Sequence, residues 1–198
     1  MARTQGFDRD EVVRAARTLF WARGYEAASI PELEAATGIR RSSLYNTFGS
    51  KRGLFDAVVQ SYLDEVIRPR LRPLQDAPVA PGALADYLTG LRAAFERLDS
   101  MPAQHGCLLV NTAGAPIADD AQVARVIADY RAELATAFDR GIRAAHPAIG
   151  PEELCQRNEA ITALVVAAFA LARIDAEQAV RSIEAALRLQ LDGSASAP

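Results

Sequence analysis

Several classes of protein are excluded by what this 198-residue sequence has little of. Its two cysteines, Cys107 and Cys155, are too few for a disulfide scaffold and lack the spacing of metal ligands. Its two histidines are not accompanied by a Ser-His-Asp context, an HExxH motif or a P-loop, so we predict no catalytic residues, no metal site and no cofactor. No apolar run approaches the length of a membrane span, and the N-terminus lacks an apolar signal core. The sequence therefore predicts a soluble, cytoplasmic protein that is not an enzyme and does not bind membranes.

Lysine is equally scarce, because Lys51 is the only lysine among 22 basic residues. The formal net charge of −3 by itself argues against binding to a polyanion. However, residues 1–52 carry nine basic residues against six acidic ones, whereas the remainder carries 13 against 19. A basic N-terminal module on an acidic body is the distribution expected when one end of a protein meets phosphate groups. The excess is only three charges, so the case for nucleic acid depends on the motifs.

The pattern of residues is helical almost throughout. Alternation of β-branched residues is absent, and Ala, Leu, Arg and Glu dominate, which predicts an all-α chain. Three short helices should be followed by about six longer ones, giving about nine helices. We expect the fourth helix to start after Ser50 and to end or bend at Pro69 and Pro73. Further helices are predicted near 82–99, 104–113, 119–145, 151–173 and 176–191.

The second and third short helices are predicted to form a helix-turn-helix. Ser29 and Glu32 have the spacing of a capping box at the start of the second helix. Gly38 can take the positive φ that a tight turn needs, and Ile39 can fill the joint between the helices. The third helix, from about Arg40 to Phe48, would then enter the major groove of DNA, where base edges can be distinguished.

The exposed side chains of this third helix suit contact with DNA. Arg40 and Arg41 can reach guanine edges or phosphates, and Asn46 can read adenine. Tyr45 and Lys51 are better suited to contact the DNA backbone, which fixes the register of the helix. The predicted DNA-binding residues are Arg40, Arg41, Ser42, Ser43, Tyr45, Asn46, Thr47 and Lys51.

The stretch GIRRSSLYNTFGSK, preceded by GYEAASIPELEAATG, resembles the DNA-binding domain of TetR/AcrR-family bacterial regulators. The resemblance covers about residues 8–55 and is carried by Tyr45 and by Phe48 to Lys51. Two positions depart from the family pattern. Arg40 stands where a small capping residue is usual, so the third helix is expected to start without a side-chain cap, at a cost of about 1 kcal/mol. Gly53 stands where an acidic residue is common.

The resemblance implies a repressor that binds a palindromic operator in double-stranded DNA as a homodimer and is released by a small-molecule effector. It predicts a DNA-binding domain over residues 1–52, a helical ligand-binding and dimerisation domain over 53–191, and a flexible tail over 192–198. The last two helices are rich in small and apolar residues and are expected to form the dimer contact. The predicted lining residues of the ligand pocket are Tyr62, Phe95, Cys107, Asn111, Tyr130 and Phe169. For each of them, ordinary packing in the core is the alternative.

Two other hypotheses remain open at this point. The segment from Gly106 to Asn111 is similar to the GC-x-x-V-N stretch of a TetR subgroup that includes regulators responding to reactive electrophiles. Cys107 could therefore be a sensor thiol, if its surroundings favour the thiolate. Alternatively, the chain binds DNA without any ligand. Cys155 and His146 are interpreted as structural residues.

Overall fold

The structure, a computed structural model, describes residues 7–192, and this part of the chain contains no β-strand. The predicted flexible tail lies outside the described residues except for Asp192. The helices are α1 (Arg9–Arg23), α2 (Ile30–Thr37), α3 (Arg41–Phe48), α4 (Lys51–Tyr62), α5 (Arg68–Gln75), α6 (Ala83–Glu96), α7 (Met101–His105), α8 (Leu108–Ala113), α9 (Ala121–Ala145), α10 (Pro151–Leu171) and α11 (Ala176–Leu191). The all-α prediction is confirmed.

Local capping signals set the bounds of the first helices. Asp8 accepts hydrogen bonds from the backbone amides of Asp10 and Glu11 at the start of α1. Ser29 and Glu32 form the predicted reciprocal capping box at the start of α2. Each of these bonds satisfies a backbone amide that has no partner within its own helix.

The core of the N-terminal module is aromatic. Phe20 of α1 is fully buried and meets the ring of Phe55 of α4 edge to face, with the ring centroids 5.2 Å apart. Leu33 of α2 and Leu44 of α3 are buried beside them. Helix α4 supplies part of this core and begins at Lys51. The domain boundary predicted at residue 52 therefore falls inside the first turn of α4.

The helical run that begins with α4 passes through both prolines at which the fourth helix was expected to end or bend. A π-helical turn over Leu63–Ile67 follows α4 and leads directly into α5. Pro69 stands in the first turn of α5, where a missing amide is tolerated, whereas Pro73 lies inside the helix. Leu71 and Leu74 of α5 are fully buried, so tertiary packing outweighs the low helix propensity of proline here.

The C-terminal body is built from α6 and α9 to α11. Helices α10 and α11 pack against each other, and α11 also packs against α6. The helix predicted over 104–113 is wrong in one respect, because it is broken into α7 and α8 at Gly106 and Cys107. Gly106 has a φ of 66°, and a Cβ there would lie 2.3 Å from the carbonyl oxygen of Phe169. A regular helix cannot pass through this position, since φ is negative in a right-handed helix.

Candidate nucleic-acid interface and a neighbouring cavity

One side of α3 is held against the module and the other faces outward. Leu44 is buried, whereas Arg41, Ser42, Tyr45 and Asn46 are exposed. At 3.6 residues per turn, these four positions share one continuous face of the helix. An α-helix that presents small and hydrogen-bonding side chains on one face can enter a major groove.

The remaining predicted DNA-binding residues lie around this face. Arg40 is exposed just before α3. Ser43 and Thr47 are half-buried on the flanks of the helix, between the outward face and the core. The structure therefore separates the predicted residues into a central exposed set and two flanking positions.

The turn between α2 and α3 fixes the direction of the outward face. Gly38 takes the left-handed conformation, with a φ of 70°, and its amide donates to the carbonyl of Glu34. Ile39 is buried at the joint, as expected. Arg40 occupies the capping position of α3 without a side-chain cap, as the sequence indicated. The carboxylate of Glu34 accepts a hydrogen bond of 2.5 Å from the backbone amide of Arg41 instead, so α2 caps the start of α3.

The basic residues of the module differ in whether their charge is already paired. Four arginines form ion pairs with carboxylates, and these are Arg14, Arg17, Arg23 and Arg52. Arg40 and Arg41 form no ion pair with any residue between 7 and 192. The guanidinium of Arg41 lies over the ring of Tyr45, 5.3 Å from its centroid. Arg9, over the ring of Phe48, and Lys51, at the start of α4, also lack an ion pair among residues 7–192, so the unpaired positive charge of the module lies on and around α3.

Lys51 lies at the start of α4, beside the outward face of α3. Its ammonium group is 4.5 Å from the centroid of the Tyr25 ring and donates to the carbonyl oxygen of Glu26 at 3.4 Å. Burial lowers the pKa of Lys51, and the nearby carboxylates of Glu26 and Glu32 partly oppose this shift. The ring and the carbonyl hold the ammonium group in one place, which suits a contact that fixes register.

Gly53 is required by the close approach of α3 and α4. A Cβ at this position would lie 2.0 Å from the carbonyl oxygen of Phe48. The hydroxyl of Ser50 accepts a hydrogen bond of 3.0 Å from the amide of Gly53 and caps α4. Sequence reasoning identified the cap but treated Gly53 only as a departure from the family pattern, because the contact with Phe48 depends on the turn at Gly49.

A cavity of about 640 Å³ lies between the N-terminal module and the body. Its apolar walls come from several helices and include Trp21 of α1, Leu91 of α6 and Phe169 of α10. Tyr62 and Tyr87 also line it, and three charged residues, Arg70, Asp76 and Asp86, contribute to its wall while remaining exposed. The volume is in the range of pockets that hold small molecules, about 300–1,000 Å³.

Two of the six side chains proposed for a ligand pocket, Tyr62 and Phe169, line this cavity. Phe95 is not part of the wall and is buried against Phe169, with their ring centroids 5.4 Å apart. Asn111 is also outside the wall, and its side-chain amide donates to the carbonyl of His105 at 2.6 Å. These two residues support the cavity from behind.

Cys107 and Tyr130 are fully buried next to the cavity but do not line it. The sulfur of Cys107 donates to the hydroxyl of Tyr130 at 3.6 Å and also lies near the hydroxyl of Tyr62. Burial raises the pKa of both tyrosines, and the neighbouring Cys107 adds to the increase. The thiol is thus enclosed by two phenol groups. The other cysteine, Cys155, is exposed.

Three polar contacts join the DNA-facing module to the body. The indole nitrogen of Trp21 donates to the carbonyl oxygen of Gly106 at 3.1 Å. The carboxylate of Glu26 accepts from the backbone amide of Ile117 at 2.9 Å. Arg52 pairs with Asp120, the capping residue of α9, at 2.8 Å. Trp21 is both a wall residue of the cavity and one of these contacts.

Comparison with known proteins places this geometry in a family. Residues 12–58 match the model of the tetR family of bacterial regulatory proteins. The chain is 34% identical over 126 residues to the HTH-type transcriptional repressor ComR of Escherichia coli, an alignment that covers 63% of this chain and 59% of that repressor. It is 31% identical to the HTH-type transcriptional regulator YezE of Bacillus subtilis, over 72% of each chain.

The likeness extends to a solved complex with DNA. The TetR family transcriptional regulator CifR, as a cysteine mutant bound to 26-base-pair operator DNA, superposes with a TM-score of 0.77 and 30% identity. The superposition covers 94% of this chain and 98% of CifR. The match therefore includes the helical body as well as the helix-turn-helix. On the combined evidence of the motif, the helix arrangement and these relatives, the chain belongs to the TetR family of bacterial regulatory proteins.

Proposed function

We propose that this protein is a cytoplasmic transcriptional repressor that binds a palindromic operator as a homodimer and leaves it when a small molecule occupies the cavity. One observation carries the DNA-binding part of the proposal: the exposed face of α3 holds Arg41, Ser42, Tyr45 and Asn46, and Arg41 is not paired with a carboxylate among the described residues. A repressor role is supported by the names of relatives such as ComR.

Dimerisation through α10 and α11 is supported by an apolar surface that the single chain leaves uncovered. Helix α10 is 21 residues long and apolar, yet only 33% of its most apolar stretch is buried. That length and composition would also allow a membrane span. Ile161 and Val165 nevertheless pack into the core, while Ala163 and Ala170 are exposed on another side. Small side chains on an exposed face allow close approach of a second copy about a two-fold axis.

Release by a ligand is supported by the position of Trp21. Its ring lies in the cavity wall, and its indole nitrogen holds the carbonyl of Gly106 in the body. A ligand that pushes on this ring would change the angle of α1 relative to α7 and α8. The separation of the two α3 helices in the dimer would then no longer match two half-sites one helical turn apart.

Footprinting on DNA upstream of the protein's own gene tests the operator and the dimer together. We expect a protected region with two-fold sequence symmetry and half-sites about 10 base pairs apart, or a multiple of that spacing. A thermal-shift screen of small molecules tests the effector, since a ligand stabilises the state that it binds. Protection of one unsymmetrical half-site would contradict binding as a homodimer.

Thiol sensing by Cys107 is a second candidate, since the hydroxyl of Tyr130 lies 3.6 Å from its sulfur and is placed to donate a hydrogen bond to a thiolate, although the sulfur is fully buried. Cys107 directly follows Gly106, the residue that Trp21 holds, so an adduct would disturb the same contact. With N-ethylmaleimide, the sulfur would bond to one alkene carbon and the thiol proton would end on the other.

If Cys107 is the sensor thiol, Cys107→Ser should abolish the release of DNA by N-ethylmaleimide. Cys155→Ser, at the exposed cysteine, should leave release unchanged. If N-ethylmaleimide releases DNA from the Cys107→Ser variant as fast as from the wild-type protein, this candidate is eliminated.

A further inference from the structure

The cavity contains a hydrogen-bond donor without a partner. Tyr87 of α6 is half-buried, and its ring packs on Phe138 with the centroids 5.4 Å apart. Its hydroxyl forms no hydrogen bond with the described residues. A phenol without a protein partner in a cavity wall is placed to donate a hydrogen bond to a ligand.

A positive charge lies in the same cavity wall as this hydroxyl. Arg70 also lines the cavity, and in residues 7–192 it pairs with no carboxylate; its guanidinium donates only to the carbonyl of Val66. Burial raises the pKa of Tyr87, Cys107 adds to the increase, and the charge of Arg70 opposes it. The two carboxylates of the cavity wall, Asp76 and Asp86, do not contribute to this shift. Of the charged residues in the cavity wall, Arg70 is therefore the one whose charge acts on the Tyr87 hydroxyl.

The rest of the nearby wall is apolar and aromatic. Trp21, Leu91 and Phe169 line the cavity, and each is largely buried. Such walls bind a flat or branched hydrocarbon body, while a few polar groups fix its orientation. A guanidinium and a free hydroxyl donor in one cavity wall are suited to a carboxylate, whose oxygens can accept from both.

We propose that the effector is an apolar carboxylate, with its acid group held by Arg70 and Tyr87 and its hydrocarbon body between Trp21, Leu91 and Phe169. The inference rests on the proposed function, in which this cavity is the effector site. The carboxylate would accept a hydrogen bond from the hydroxyl of Tyr87 and form an ion pair with the guanidinium of Arg70. The hydrocarbon body would contact the ring of Trp21, which is joined to Gly106.

Calorimetric titration of the full-length protein with three matched pairs tests the ligand class. The pairs are 4-tert-butylbenzoate, 2-naphthoate and decanoate, each with its primary amide. We expect at least one acid to bind about tenfold more tightly than its amide, the difference that a charge-assisted hydrogen bond supplies. Arg70→Gln should remove this preference, and Arg72→Gln, on the same helix but outside the cavity, should keep it. Tyr87→Phe should weaken the binding of the acid while the contact of its ring with Phe138 is kept.

The same compounds test the ligand class and the proposed function independently of each other. If no acid binds more tightly than its amide, or if Arg72→Gln removes the preference as fully as Arg70→Gln, the carboxylate inference is wrong. Release is measured separately, by fluorescence anisotropy of labelled operator. An acid that binds through Arg70 without releasing DNA supports the ligand class and contradicts release by this cavity. Release by a neutral molecule with no response to any acid leaves the proposed function intact and overturns the carboxylate.

Discussion

At the scale of single residues, Gly53 is the position where the structure most changes the interpretation of the sequence. In the family pattern it is a departure, but here the carbonyl of Phe48 occupies the place of a Cβ, at 2.0 Å. The backbone oxygen cannot move without shifting the end of α3, because Gly49 closes that helix through its amide. A glycine at this position therefore helps to set the outward face of α3.

Replacing Gly53 by Ala should lower the free energy of unfolding by about 1–3 kcal/mol, the usual cost of overpacking. Urea unfolding followed by circular dichroism measures this change. Gly90→Ala is the matched control, because no atom lies within 4 Å of its Cβ position inside α6. That control should stabilise the protein by about 0.5–1 kcal/mol, the helix-interior difference between the two residues. Equal effects of the two substitutions would refute the steric requirement at Gly53.

The proposed roles of Arg41 and Lys51 in DNA binding differ, and the difference is testable. Arg41→Ala should cost about 1–3 kcal/mol on the operator and relax the preference for one base. Lys51→Ala should weaken binding to all duplexes alike and reduce the dependence of affinity on salt. Anisotropy titrations against the operator and single-base variants measure both effects. A uniform loss over every duplex for Arg41→Ala would contradict a base contact.

At the scale of elements, the first turn of α4 is tied to the start of α9. Arg52 pairs with Asp120, and the backbone amides of Gln122 and Val123 also donate to this carboxylate. The hydrogen bond from Arg52 is the largest of the effects that lower the pKa of Asp120 to about 2, against an ordinary value of 3.8. A depressed carboxylate pKa stabilises the folded state above the unfolded value and loses this contribution as the pH falls.

Asp120→Asn should therefore destabilise the protein at about pH 6, because the side chain can still cap α9 but no longer pairs with Arg52. The difference from the unmodified protein should shrink as the pH falls from about 4 towards 2. Urea unfolding of both proteins over this range measures the difference. A destabilisation that stays constant down to the lowest pH would show that the charge of Asp120 is not its source.

The elements that sequence could predict are those whose signals are local. The capping box of Ser29 and the turn at Gly38 lie within a few residues of the helices they bound. The break at Gly106 was missed because its cause is the carbonyl of Phe169, far along the chain. The cavity wall was predicted only in part for the same reason. Periodicity shows which side of a helix is apolar, but which of those side chains meet empty space depends on how α6 and α10 are placed.

At the scale of the whole molecule, the proposed dimer can be broken without disturbing the core. Ala163 is exposed on α10, so a charged side chain there is compatible with the folded single chain. Ala163→Glu should convert the dimer to a monomer in analytical ultracentrifugation, because it buries two like charges near a two-fold axis. Ala132→Glu, on the exposed side of α9, is the control and should remain dimeric. A dimer of unchanged affinity in Ala163→Glu would place the contact elsewhere.

The central claim is that α3 gives this protein sequence-specific binding to DNA. The most direct measurement is the affinity of the full-length protein for a duplex from its own upstream region and for a scrambled duplex of equal length, at one salt concentration. We expect a preference for the upstream duplex of about 10³-fold or more. We also expect the preference to fall sharply when Arg41 is replaced by Ala. Equal affinity for the two duplexes would contradict the central claim.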